Sequence, residues 1–141
     1  MEPIRHVLTV ASSAADAFEV FTGEMGAWWD PAYSPEPAAY AGIAIDPRVG
    51  GAVEMLAGTT RVQVGTVTAW EPGVRFAQTF VLARHPAYPS TIEVAFEEVD
   101  QVCEVTFEHG GWHAENGPAR ARYGDWPHLL GRYAAACARR E

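Results

Sequence analysis

The sequence predicts an α+β domain in which a curved antiparallel sheet wraps around one long carboxy-terminal helix, with two short helices near the amino terminus. Three observations predict it. A strand-like segment at the amino end runs straight into a capped amphipathic helix, and a series of alternating segments separated by turn residues then extends to His109. The chain closes with apolar residues at helical spacing, and a sheet with one dry face needs such a helix to cover it.

The first strand is Ile4 to Val10, and Ser12 or Ser13 can cap the helix that follows, from about Ala14 to Thr22. Ala14, Ala17, Phe18 and Phe21 form its apolar stripe, and Gly23 is expected to end it in a left-handed conformation. From Met25 to Tyr40 the pattern loses its period. Trp28, Trp29, Tyr33 and Tyr40 mix there with three prolines, which reads as an aromatic-rich lid or connector. Gly42 to Leu56 reads as two short strands around the turn Asp46-Pro47-Arg48-Val49-Gly50-Gly51. Arg61 to Trp70 and Val74 to Ala83 pair as a hairpin across Glu71-Pro72-Gly73.

Because successive side chains in a strand point to opposite faces, alternation shows what faces inward. Val74, Phe76, Phe80 and Leu82 share one face, with Gln78 among them. Ile92, Val94 and Phe96 continue the dry face while Thr91, Glu93 and Glu97 meet water. Beyond a turn near Asp100-Gln101, Cys103, Val105, Phe107 and His109 form the next inward row. A helical turn near Pro118 to Tyr123 precedes Gly124-Asp125 as stop and cap, and the last helix spans about Trp126 to Arg139 with Pro127 in its first turn. Trp126, Leu129, Leu130, Tyr133, Ala134 and Cys137 mark its buried stripe, leaving Arg132, Arg139 and Arg140 to water.

The 141 residues suit one domain, 1–141, able to bury a core without metal or disulfide, and 48% hydrophobic with 20% charged residues places them among ordered globular chains. A net charge of −8 argues against nucleic acid and anionic membrane as partners, since the 10 basic residues form no patch. No signal core or membrane span is evident, so a cytoplasmic location is expected, with Cys103 and Cys137 as buried thiols.

The order of elements is that of the helix-grip fold. Over nearly its whole length the sequence also resembles the prokaryotic single-domain relatives of the heat-shock chaperone ATPase activator, within the SRPBCC (START-like, polyketide-cyclase-like) superfamily. The resemblance lies in Ser12-Ser13 with Phe18 and Phe21, Asp46 through Gly51, and Gly65 to Trp70 with Pro72. It continues through Thr91-Ile92-Glu93-Val94, Phe107-Glu108-His109-Gly110-Gly111-Trp112, and Gly124-Asp125-Trp126 with Leu129 and Leu130. It implies a cavity between the concave sheet and the final helix. The superfamily hosts carriers, receptors and cyclases, so fold alone does not give function. The eukaryotic activator carries an additional amino-terminal domain that these 141 residues do not supply.

The candidate ligand-binding residues are Trp70, Phe76, Gln78, Phe80, Phe96, Phe107, His109, Trp112, Trp126 and Tyr133. Each ring alone is explained by packing, while as a group they point to an apolar pocket. A buried amide must bond to something, so Gln78 meets either protein or ligand. His109 is either a satisfied structural histidine or a polar handle near neutral pH. His109 and His113 are four apart, but Gly110-Gly111 breaks any helix that would align them, so no metal site and no cofactor is expected. No catalytic motif is found. The leading expectation is a protein that binds a hydrophobic small molecule, with a homodimer left open. The alternatives are a cyclase- or hydrolase-like enzyme using His109 as acid or base, and a chaperone ATPase cofactor.

Overall fold

A computed structural model describes residues 2–81 and 88–140. Its strands are β1 (Ile4–Val10), β2 (Tyr40–Ile45), β3 (Ala52–Ala57), β4 (Thr60–Glu71), β5 (Arg75–Phe80), β6 (Ser90–Val99) and β7 (Val102–Gly110). They form one antiparallel sheet in the order β1-β7-β6-β5-β4-β3-β2. The helices are α1 (Ala14–Gly23), α2 (Met25–Trp28) and α3 (Trp126–Arg139). This is the helix-grip architecture, with α3 held against the sheet's dry face. None of the described helices is long and apolar enough to cross a membrane.

The dry face is continuous because inward rows align across strands. Ile92 pairs with His109, Val94 with Phe107 and Phe96 with Val105, and all six are buried. Register shifts at Val53/Glu54 and Val67/Ala69 lie on either pairing of β4, where an extra residue bends a strand and increases its twist. That curvature lets the sheet close around α1 and α3. The two helices meet through Tyr133, whose ring lies 5.1 Å from Phe21 and whose hydroxyl donates to the Ala17 carbonyl at 2.8 Å.

Some local expectations are narrowed and others change. Ser13 caps α1 by accepting from the Asp16 N–H at 3.1 Å. Gly23 stays helical, and Glu24 ends the helix at φ −115° without any left-handed residue. The aromatic connector is ordered into α2 and two 3-10 turns, Pro31–Tyr33 and Pro37–Ala39. Trp28 (1% exposed) and Trp29 (4%) belong to the core, with the Trp28 indole N–H on the Val20 carbonyl at 3.0 Å. Arg132 leaves solvent to donate to the Trp28 carbonyl at 2.7 Å and the Trp29 carbonyl at 3.3 Å, satisfying groups that the end of α2 would otherwise orphan. Ala136 replaces Ala134 among the fully buried residues of α3. Val74 is 56% exposed, because it sits in the turn before β5 and not in its inward row. Leu82 and Ala83, placed in that strand from sequence, lie outside the described residues.

The β6–β7 hairpin turns on Asp100 (φ 49°) and Gln101 (φ 70°), a pair of left-handed residues whose twist matches the flanking strands. An L-residue with a side chain pays roughly 1–2 kcal/mol for that conformation, against roughly 0.5–1 kcal/mol of extra chain entropy lost by glycine. Gln101→Gly should therefore raise unfolding stability by about 0.5–1 kcal/mol, read as a higher urea midpoint at unchanged slope.

Candidate functional site: a cleft at the head of the last helix

Trp126, the first residue of α3, is positioned by a buried polar network centred on His109. Its indole N–H donates to His109 Nδ1 at 3.0 Å. An indole can only donate, so Nδ1 must be the bare nitrogen and the ring proton must sit on Nε2. Nε2 then donates to Ser90 Oγ at 2.6 Å, and the Ser90 hydroxyl donates to the Phe80 carbonyl at 3.2 Å. Trp112 adds its own indole N–H to the His109 carbonyl at 2.9 Å. His109 thus ties the end of β5, the start of β6 and the head of α3 together. It is 0% exposed, and burial pushes its pKa from the ordinary 6.5 down to about 3. Both ring nitrogens are engaged and the ring is neutral at pH 7. His109 therefore has no lone pair or proton to offer a ligand.

Next to this network lies a cleft of about 290 Å³. The connector contributes Trp29, Tyr33, Ser34 and Pro35 to one wall, and Phe80 ends β5 beneath it. Arg122 and Tyr123, from the 3-10 turn Gly117–Tyr123, complete the cleft with Asp125, Trp126 and Leu129. Its rings are close neighbours, with Trp29 5.8 Å and Phe80 6.1 Å from Trp126, and Tyr123 5.8 Å from Phe80. Two polar contacts fasten the connector wall to the α3 wall. The Tyr33 hydroxyl donates to Asp125 Oδ2 at 2.6 Å, and this bond to a carboxylate raises the Tyr33 pKa. His128 Nε2 and Asp30 Oδ2 are 2.8 Å apart, and Asp30 titrates lower than usual, first through the Ala32 N–H and then through His128. Asp125 precedes α3 as expected, but its carboxylate is turned to Tyr33 and makes no capping bond.

Between sheet and helix the interior is nearly solid. The void bordered by Phe21, Trp28, Gln78, Phe80, Phe107 and Trp126 measures about 10 Å³, room for no more than roughly one water molecule. Of the residues singled out from sequence, Phe80 and Trp126 line the cleft, and Gln78 and Phe107 border only the void. The Gln78 amide donates to the Thr79 carbonyl at 3.0 Å, in space left by Gly65, where a Cβ would lie 2.7 Å from Gln78 Nε2. Phe76 packs on Phe21 and Trp70, Phe96 and Trp70 on Phe18, Trp112 on the His109 ring, and Tyr133 between α1 and α3. Sequence reasoning missed Arg122, Tyr123, Asp125 and Leu129 as cleft residues. Trp29 and Tyr33 lie in the aperiodic aromatic run already read as a lid. Burial raises the pKa of both Cys103 and Cys137. Among the described residues no group of three His, Cys, Asp or Glu side chains is placed to hold a metal.

The sequence profile of one family, described as activator of Hsp90 ATPase homolog 1-like protein, matches residues 11–137. The chain belongs to that family. Solved structures extend the likeness to this activator-like family's wider fold. The Aha1 dimer from Colwellia psychrerythraea is 18% identical with a TM-score of 0.71, covering 97% of this chain and 96% of that one. The anthrahydroquino-gamma-pyrone synthase Txn09 is 26% identical with a TM-score of 0.66, covering 96% of this chain and 97% of that one. CalU16 from Micromonospora echinospora is 16% identical with a TM-score of 0.65, covering 94% of this chain and 71% of that one. No curated protein matches the chain.

Proposed function

We propose that this family member binds a small apolar or aromatic molecule of one or two rings in the cleft at the head of α3. The observation that carries the reading is the convergence of Trp29, Tyr33, Phe80, Tyr123 and Trp126 on one cavity of about 290 Å³. Ligand sites are typically concave, run from about 300 to 1,000 Å³, and set a few polar groups in apolar walls. This cleft lies at the small end of that range, so its occupant is small. The cleft wall is also preorganised, since the His109 network fixes Trp126 before any ligand arrives. Of the residues named from sequence, Phe80 and Trp126 are assigned to ligand contact, and Gln78 to the protein interior.

Calorimetric titration with 2-naphthol tests this. Ser34→Trp, which fills the cleft from its rim, should weaken binding at least about tenfold with the melting temperature within about 2 °C of the parent. Gln78→Leu should leave the affinity unchanged. Full affinity in Ser34→Trp, or a large loss in Gln78→Leu, would move the site to the interior.

A second reading, turnover of a cyclisable aromatic substrate, is favoured by the likeness to the pyrone synthase and by the Tyr33–Asp125 pair. With His109 neutral and fully bonded, the hydrogen-bonded Tyr33 phenol and Asp125 carboxylate are the paired groups in the cleft placed to move a proton. Under this reading Tyr33→Phe abolishes turnover and keeps affinity, whereas a binding protein shows no turnover to lose. A homodimer forms part of the proposal on the strength of the dimeric relative, and light scattering at micromolar concentration reads it directly.

A further inference from the structure

We infer that the cleft selects aromatic acids, holding the ring against Trp126 and the carboxylate on Arg122. The inference rests on the reading of the cleft as a ligand site. Among the described residues that line the cleft, Arg122 is the one cation. It makes no ion pair or hydrogen bond to any described residue, although acidic residues outnumber basic ones 18 to 10 in this chain. The other arginines are mostly committed. Arg5, Arg48, Arg61, Arg75 and Arg140 each meet a carboxylate, and Arg120 and Arg132 donate to backbone carbonyls. Arg139 likewise makes no ion pair or hydrogen bond to any described residue, but it does not line the cavity.

The nearest acid in sequence, Asp125, could have neutralised Arg122 and does not. Its Oδ2 accepts the Tyr33 phenol at 2.6 Å, a bond that holds the connector wall to α3. The guanidinium is thus left at an aromatic cavity with its planar fork of N–H donors unspent. A carboxylate matches that fork with two parallel charge-assisted bonds, and a neutral ring cannot. An aromatic amine is disfavoured on both sides, by the Arg122 charge and by the prior claim on Asp125. The chain's net charge of −8 opposes anion approach only over distances that physiological salt screens, beyond roughly 8 Å. Within the cleft the other charge among the described lining residues is Asp125, whose Oδ2 is already engaged by Tyr33, so Arg122 is the group left to meet an anion.

The test compares 2-naphthoate with its neutral isostere 2-naphthamide by calorimetry at pH 7, using the intact chain, Arg122→Gln and Arg122→Lys. The parent should bind the acid about tenfold more tightly than the amide, a ratio that Arg122→Gln collapses to within about twofold and Arg122→Lys partly keeps. Equal binding of acid and amide by the parent overturns the inference, as does a preference that survives Arg122→Gln. If acid and amide bind equally and Ser34→Trp blocks both, acid selection falls while the cleft stands as the ligand site. If neither probe binds at millimolar concentration, both fall together.

Discussion

His109→Ala is expected to cost about 3–5 kcal/mol of stability, the usual scale for opening a cavity beside a stranded polar group in a closed core. The Trp126 indole N–H loses its one acceptor among the described residues, and Ser90 loses the donor that orders its hydroxyl. The pH dependence should identify the cause. The unfolded chain takes up a proton near pH 6.5 that the folded ring refuses until about pH 3. The unfolded state therefore binds more protons throughout that window, and stability must fall as pH falls, by about 1.4 kcal/mol per unit from this group alone. Urea unfolding between pH 7 and 5 should show the parent losing stability more steeply than His109→Ala. Parallel curves would mean that the ring is not held neutral, and the tautomer argument would fail with it.

Tyr133→Ala should be at least as damaging, at about 4–5 kcal/mol, whereas Tyr133→Phe should cost only about 1–2 kcal/mol. The ring fills the space between α1 and α3, 5.1 Å from Phe21 and 5.5 Å from Trp28, and its hydroxyl reaches the Ala17 carbonyl. The phenylalanine variant keeps the ring and loses one hydrogen bond, and the alanine variant leaves a hole in a packed interior. Guanidinium unfolding of the two variants separates these contributions. A loss below about 2 kcal/mol in Tyr133→Ala would indicate that the grip interior already holds a spacious chamber, against the small void observed there.

Most of this fold was legible because its signals are local. The limits of β1 and α3 follow from a strand run and a helical stripe, and the inward rows of β6 and β7 from strict alternation. The site was less legible because alternation states which side chains turn inward and not whether opposing layers leave space between them. Phe21 and Trp28 decide that by filling the grip, and Trp28 comes from a stretch with no period to read. Phe80 was found because it belongs to an inward row and Trp126 because it belongs to the helical stripe of α3, and both also reach the rim. Arg122 and Tyr123 lie in a 3-10 turn, where no repeat distinguishes a cleft residue from a solvated one. Arg132 shows the same limit from the other side. Helical periodicity sends it to water, yet the open carbonyls after α2 draw its guanidinium inward.

The ligand should occupy the cleft and not the space between sheet and helix, which intermolecular nuclear Overhauser effects to bound 2-naphthol read out. Contacts from the ligand to the rings of Tyr33, Tyr123 and Trp126, with Phe21, Gln78 and Phe107 silent, are the predicted result. Contacts to Phe21, Gln78 and Phe107 with the Tyr33 and Tyr123 rings silent would contradict it.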